Sequence, residues 1–171
     1  MVAGDEPASK HRLHRLDSGR PRPTRFLMQS AYIDTSAFVK RFILERGSTE
    51  VEALIASQQY RLTLSSLSLT EIRAVLKRQL RLGVINAIHA SKAIEQTSIE
   101  LASNALAFQA VDGSIFNLAG DIIENLTAPL GTLDAVHLAS AKAARCEVMI
   151  TADRQLLRAA SEAGLRVVDL T

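Results

Sequence analysis

Two stretches of the chain share one plan: a short apolar run, an acid at its end, and a helix-forming segment. Residues 147–160 read EVMITADRQLLRAA, and residues 30–42 read SAYIDTSAFVKRF. In each, the apolar run is typical of a buried strand, and Asp153 or Asp34 comes where that strand should end and a helix begin. Strands that alternate with helices indicate parallel βαβ units. The two stretches therefore predict an α/β fold.

The same alternation continues through the rest of the chain. Further strand signals lie at RLTLS (61–65), LRVVDL (165–170) and, more faintly, LAFQAV (106–111). Between them, SLTEIRAVLKRQLRLG (68–83) has its apolar residues on one helical face and ends at Gly83, a common stop signal. We expect a three-layer α/β/α sandwich around a central, mostly parallel sheet.

Composition indicates one domain of 171 residues, 47% apolar and 22% charged. Residues 1–27 lack apolar periodicity, which predicts a disordered basic tail or, alternatively, an upstream start-site artefact before a domain at 28–171. Residues 1–28 hold six of the 20 basic residues and three of the 18 acids, so the remainder is nearly neutral. Cys146 is the only cysteine, and no apolar run approaches the roughly 20 residues of a membrane span. We expect a cytoplasmic protein without a membrane partner.

Four acids follow or begin the predicted elements on one side of the sheet. Asp34 and Asp153 end strands, while Glu71 and Asp134 lie in the first turns of helices that start on that side. Sites in open parallel sheets lie at the carboxyl ends of the strands. Each acid alone also fits a helix cap, and Ser68 with Glu71 matches the S-x-x-E capping box. Their joint placement, rather than any single acid, predicts a carboxylate cluster.

A carboxylate cluster favours a divalent cation. Carboxylates held close together raise one another's pKa values, and a cation reverses this effect. The predicted ligands are all oxygens, without cysteine and without an obvious histidine partner, which favours Mg²⁺ or Mn²⁺ over zinc. The chemistry that this pattern indicates is metal-assisted hydrolysis of a phosphodiester.

Four motifs, in order, resemble the PIN-domain family, specifically its VapC-type toxin ribonucleases. They are YIDTSAFVKRF, SLSLTEIRAVL, LGTLDAVHLASA and MITADRQLLRAA, and the resemblance covers residues 28–171. It implies an endoribonuclease that cleaves RNA with Mg²⁺ or Mn²⁺, works as a homodimer and is capped by a cognate antitoxin. It further implies supporting or water-orienting roles for Thr35, Ser36 and Thr151. The catalytic, metal-binding residues that it implies are Asp34, Glu71, Asp134 and Asp153.

Several other residues have two interpretations. His137 follows Asp134 by one helical turn and is more often a packed or supporting histidine than a ligand. Lys40, Arg41 and Arg73 could form a rim that tracks RNA phosphates beside the acids, although a solvated basic face is the more common reason for such residues.

Other classes of protein fit the sequence less well. A haloacid-dehalogenase-type phosphatase needs a second Asp where Ser36 stands, and a receiver domain needs a Lys after Asp153. A Rossmann dinucleotide-binding domain needs a glycine-rich turn after the first strand, and DTSAFV has none. A non-catalytic PIN-fold module that binds RNA or protein remains the alternative, because a fold does not guarantee an activity.

Overall fold

Five strands form one parallel sheet in the computed structural model, which describes residue 1 and residues 28–171. The predicted tail at 1–27 lies, apart from Met1, outside the described residues. The pairings are all parallel, which confirms the predicted α/β/α architecture with a sheet that is entirely parallel. The strands are β1 (Gln29–Ile33), β2 (Tyr60–Ser65), β3 (Ala107–Gln109), β4 (Val148–Thr151) and β5 (Arg166–Asp169).

Seven α-helices connect and cover these strands in the part of the chain that the structure describes. The first is short and continues as a 3₁₀ turn over Val39–Arg41, so the helix predicted after Asp34 is split in two. The helices are α1 (Thr35–Phe38), α2 (Ser48–Ala56), α3 (Ser66–Arg81), α4 (Ala87–Ala102), α5 (Gly113–Asn125), α6 (Thr132–Ala143) and α7 (Arg154–Glu162). Within residues 28–171, no helix combines the length and apolar character that a membrane span needs.

Each face of the sheet has its own hydrophobic core. Side chains alternate between faces along a strand, so Ile33 and Ile150 pack with residues of α1 to α4. Tyr32 and Met149 point the other way and pack with α5, α6 and α7. Because both faces of the sheet are covered, the central strands carry consecutive apolar residues, at 31–33 in β1 and at 148–150 in β4.

The strand order, β3–β2–β1–β4–β5, creates a crevice at one edge of the sheet. From β1 the chain moves outward through β2 to β3, whereas β4 returns to the other side of β1 and leads to β5. Helices that leave β1 and β4 therefore diverge to opposite faces and open a crevice at the carboxyl ends of these strands. Asp34 follows β1 directly, and Asp153 lies two residues after β4.

The predicted capping box of α3 is wrong. The helix begins at Ser66 and its N-cap is Ser65, whose Oγ accepts a hydrogen bond from the Ser68 amide at 3.3 Å. Because the helix starts earlier than predicted, Ser68 lies inside its first turn and Glu71 lies in its second. The Glu71 carboxylate is therefore not needed at the helix end and bonds to other residues.

Candidate active site

The four predicted acids line one cavity of about 300 Å³ at the carboxyl edge of the sheet. The cavity is open to solvent and mixes polar side chains with a few small apolar ones. Its wall contains Asp34, Thr35, Ser36, Val39, Glu71, Ala74, Val75, Asp134, His137 and Asp153. The structure thus brings together four acids that come from separate segments of the chain.

Asp34 is the most tightly held of the acids, with only 3% of its surface exposed. Its Oδ1 accepts the Ala37 amide at 2.9 Å and so caps α1. Ser36 Oγ lies 2.9 and 2.8 Å from the two carboxylate oxygens, and Thr151 Oγ1 donates to Oδ2 at 3.0 Å. Burial raises the pKa of Asp34, while these donors act in the opposite direction. Two of the predicted supporting hydroxyls, Ser36 and Thr151, therefore contact Asp34.

Glu71 projects from α3 and is held through a single oxygen. Its Oε2 accepts a hydrogen bond from Thr35 Oγ1 and lies 2.8 Å from His137 Nε2. Partial burial raises the pKa of Glu71, but the bonds from His137 and Thr35 outweigh this and hold the pKa below its usual value. The third predicted supporting hydroxyl, Thr35, thus contacts Glu71 rather than Asp34.

Asp134 and Asp153 complete the cavity from two helix starts. Asp134 lies in the first turn of α6, and Asp153 is the N-cap of α7, where its Oδ1 accepts the amides of Gln155 and Leu156 at 2.6 and 3.0 Å. Burial raises the pKa of Asp134, and the negative charges of Asp153 and Glu71 raise it further. Asp134 therefore lies close enough to Asp153 and Glu71 to be repelled by their negative charges.

The basic residues predicted to contact substrate do not reach the wall of this cavity. Lys40 is nearly buried: its Nζ donates to the Arg46 carbonyl at 2.6 Å and lies 3.3 Å from Glu45. Arg41 places both terminal nitrogens 2.8 Å from the carboxylate oxygens of Glu100. Lys40 and Arg41 are thus both bonded to other groups of the chain, and a role for them in RNA contact stays a prediction. Arg73 is exposed on α3, where it donates to the Leu69 carbonyl.

Sequence reasoning missed the contribution of Tyr32. Its side chain is fully buried below the cavity, and its hydroxyl lies 2.8 Å from His137 Nδ1 and 2.7 Å from Ser65 Oγ. Burial raises the pKa of this phenol above its usual value. The one available signal was a tyrosine within an otherwise apolar strand, because a buried phenol needs a hydrogen-bond partner.

The oxygen ligands of this cavity suit a hard divalent cation, although they do not form a complete coordination site. Among residues 28–171, no three acidic, histidine or cysteine side chains converge closely enough to enclose a metal ion. Mg²⁺ commonly binds one or two carboxylates and keeps several waters, so it does not require such a cage. Burial raises the pKa of both Asp34 and Asp134, and neighbouring acids raise that of Asp134 further, so a cation in this cavity would stabilise both carboxylates in their ionised form.

Comparison with known proteins places the chain in a family. The PIN domain model matches residues 31–162, so the chain belongs to the PIN-domain family, as the sequence motifs indicated. No curated protein matches the chain significantly.

Several solved structures share the fold of this chain. VapC20 of Mycobacterium tuberculosis, described as a sarcin–ricin loop cleaving toxin, has a TM-score of 0.62 at 17% identity over 80% of this chain and 98% of that one. DNA-bound VapBC from Salmonella typhimurium has a TM-score of 0.55 at 19% identity, over 84% and 100% of the two chains. FitAcB from Neisseria gonorrhoeae has a TM-score of 0.57 at 16% identity, over 81% of this chain and 96% of that one. Identities this low establish a shared fold.

Proposed function

We propose that residues 28–171 form a metal-dependent ribonuclease domain and that the chain is the toxin of a toxin–antitoxin pair. The observation that carries this proposal is the single cavity lined by Asp34, Glu71, Asp134 and Asp153. Membership of the PIN-domain family supports it, as does the shared fold with a toxin described as cleaving the sarcin–ricin loop.

The four acids would hold Mg²⁺ or Mn²⁺, which supplies charge neutralisation of the phosphodiester and activation of water when bound. Neighbouring side chains and backbone amides hold these acids in position. Ser36 and Thr151 orient Asp34, His137 and Thr35 orient Glu71, and the first amides of α7 orient Asp153. A cavity of about 300 Å³ is many times larger than the roughly 10–15 Å³ that a single water needs by the same measure. The site can therefore hold a hydrated cation together with a phosphate group.

The same comparisons support one of the proposed partners. The solved VapBC and FitAcB structures combine proteins of this fold with a second component, which supports a cognate antitoxin as a partner of this chain. RNA is the proposed substrate, a second copy of the chain is the proposed partner in a homodimer, and the cytoplasm is the proposed location.

A cleavage assay tests the nuclease proposal. Purified protein should cleave structured RNA in Mg²⁺ or Mn²⁺ and lose this activity in EDTA. Asp34→Asn and Asp153→Asn should each reduce the rate by more than the roughly 10–100-fold that loss of a supporting residue costs. Asp121→Asn, an exposed acid on α5 outside the cavity, is the matched control and should cleave normally. Equal rates for all proteins, with or without EDTA, would disprove the proposal.

A non-catalytic binding module is the alternative function. The absence of a three-ligand metal cage within residues 28–171 is the observation that favours it. This alternative predicts that RNA or protein binding survives Asp134→Asn, and that no RNA is cleaved at any metal concentration. Gel-shift and cleavage assays on the same preparation separate the two functions.

A further inference from the structure

A row of hydrogen-bonded side chains runs from the interior of the sheet to Glu71. The Tyr32 hydroxyl lies 2.7 Å from Ser65 Oγ and 2.8 Å from His137 Nδ1. On the other side of the same imidazole, Nε2 lies 2.8 Å from Glu71 Oε2. Tyr32, Ser65 and His137 are at most 3% exposed, so water has little access to compete for these bonds.

The chemistry of the row assigns a proton to one nitrogen of His137. An ionised carboxylate only accepts hydrogen bonds, so Nε2 must be the donor to Glu71. The Tyr32 hydroxyl can donate a hydrogen bond to Nδ1 or accept one from it, so this contact is compatible with either protonation of Nδ1. Tyr32 and His137 also pack edge to face, with ring centroids 5.8 Å apart, so the imidazole is held by packing as well as by its two bonds.

The bond from His137 determines how Glu71 presents its carboxylate. Both donors to this group, Thr35 and His137, bond to Oε2, and no described residue donates to Oε1. A glutamate side chain otherwise samples many rotamers, and fixing them costs conformational entropy. Holding Oε2 in place before any ligand arrives removes much of that cost and leaves Oε1 available.

We propose that Tyr32 and His137 form a positioning pair, in which Tyr32 holds the His137 ring so that Nε2–H fixes Glu71 Oε2 and leaves Oε1 for a divalent cation. The role of Oε1 rests on the proposed nuclease function. The hydrogen bonds of the His137 ring and the proton on its Nε2 do not depend on that function. Because His137 and Asp134 are one turn apart on α6, the pair also ties the acid of α3 to the helix that carries a second acid.

Nitrogen-15 NMR of the metal-free protein tests the pair independently of activity. We expect His137 Nε2 to carry a proton in the wild type and Nδ1 to have the resonance of a hydrogen-bonded nitrogen. Tyr32→Phe keeps the ring packing but removes the hydroxyl, and should shift or broaden the Nδ1 resonance. An unprotonated Nε2 in the wild type, or an unchanged Nδ1 resonance in Tyr32→Phe, would overturn the inference.

Mn²⁺ binding, followed by calorimetry or electron paramagnetic resonance, tests the consequence for the site. His137→Leu should weaken Mn²⁺ affinity by about 10–100-fold, the usual effect of losing a residue that supports a ligand. His137→Gln restores a donor to Glu71 and should recover most of the affinity. Ser140→Ala removes another buried polar group of α6, which bonds only to the Val136 carbonyl, and is the control for a general effect on folding.

The outcomes separate this inference from the proposed function. Normal Mn²⁺ affinity in folded His137→Leu would overturn the positioning role of the pair. A wild-type protein that binds no Mn²⁺ and cleaves no RNA would instead overturn the proposed function and the role given to Oε1. The NMR result would still decide whether Tyr32 and Glu71 hold the His137 ring.

Discussion

Thr151 Oγ1 donates a hydrogen bond to Asp34 Oδ2 at 3.0 Å and accepts one from the Asp153 amide at 2.9 Å. One buried hydroxyl thus joins the acid after β1 to the backbone of the acid after β4. The strand register brings these residues together, since the Asp34 amide bonds to the Ile150 carbonyl at 3.0 Å. The parallel pairing of β1 and β4 is therefore what aligns two of the four acids.

Thr151→Val should weaken both the fold and the site. Valine has nearly the same shape but cannot donate to Asp34 or accept from the Asp153 amide. Losing a hydrogen bond to a buried carboxylate costs about 1.5–3 kcal/mol, which denaturant unfolding can measure. Thr97→Val is the matched control, because the Thr97 hydroxyl bonds only to a helical carbonyl, that of Ala93. If the two variants lose equal stability, the link through Thr151 has no special importance.

Gly131→Ala should disturb Asp134 without unfolding the protein. A Cβ at residue 131 would lie 3.1 Å from Asp134 Oδ2, so the carboxylate must move by a few tenths of an ångström. We expect weaker Mn²⁺ binding with nearly unchanged thermal stability. Gly120→Ala, in the middle of α5 where an added Cβ meets nothing within 4 Å, should bind Mn²⁺ normally and gain up to about 1 kcal/mol of stability. Wild-type Mn²⁺ affinity in Gly131→Ala would contradict this prediction.

The ion pair between Arg41 and Glu100 should make stability depend on pH. Partial burial raises the pKa of Glu100, but the hydrogen bonds and charge of Arg41 outweigh this and hold the pKa below its usual value. A lowered pKa means that the pair stabilises the fold fully above the unfolded-state pKa of about 4.3. That contribution is lost as the pH falls through the lower pKa of the folded state.

Glu100→Gln tests this dependence. The variant should be about 1–2 kcal/mol less stable than the wild type near pH 7, and the difference should shrink as the pH falls below the usual glutamate pKa. Urea unfolding at several pH values measures it. Glu95→Gln, an exposed acid on the same helix, should differ little from the wild type at any pH. A pH-independent difference for Glu100→Gln would contradict the assignment to the ion pair.

Arg73 is the predicted substrate-binding residue that remains exposed, and it lies on the same helix as Glu71. If it contacts an RNA phosphate, Arg73→Gln should weaken RNA binding and lower the salt dependence of log K by about one unit. Arg81→Gln lies two turns, or about 12 Å, further along α3 and serves as control. Lys40→Gln should instead lower stability, because Lys40 is bonded internally, and leave the salt dependence unchanged. Equal salt dependence for all three variants would exclude Arg73 from the RNA contact.

Local patterns predicted the strands and the position of the four acids. Apolar runs such as those before Asp34 and Asp153 indicate buried parallel strands, and the rule that such strands present their carboxyl ends on one side then groups the acids. Even the faint strand at 106–111 forms, although only as the short edge strand β3.

The contacts that the sequence did not reveal join residues far apart in the chain. Arg41 looked exposed beside Lys40 because its partner, Glu100, lies on a helix much later in the chain. The row from Tyr32 through His137 to Glu71 combines a strand and two helices, and no local spacing indicates it. The capping-box prediction was wrong because the N-cap of α3 is Ser65, at the end of β2, and not Ser68.

The position of β4 between β1 and β5 bears on when activity can arise during translation. Asp34, Glu71 and Asp134 are all synthesised before β4, whereas Asp153 follows it. A nascent chain that ends before this strand has neither the fourth acid nor the strand that aligns Asp34. Under the proposed function, a nascent chain shorter than 153 residues would therefore lack a complete site and should not cleave RNA, so activity can arise only late in synthesis.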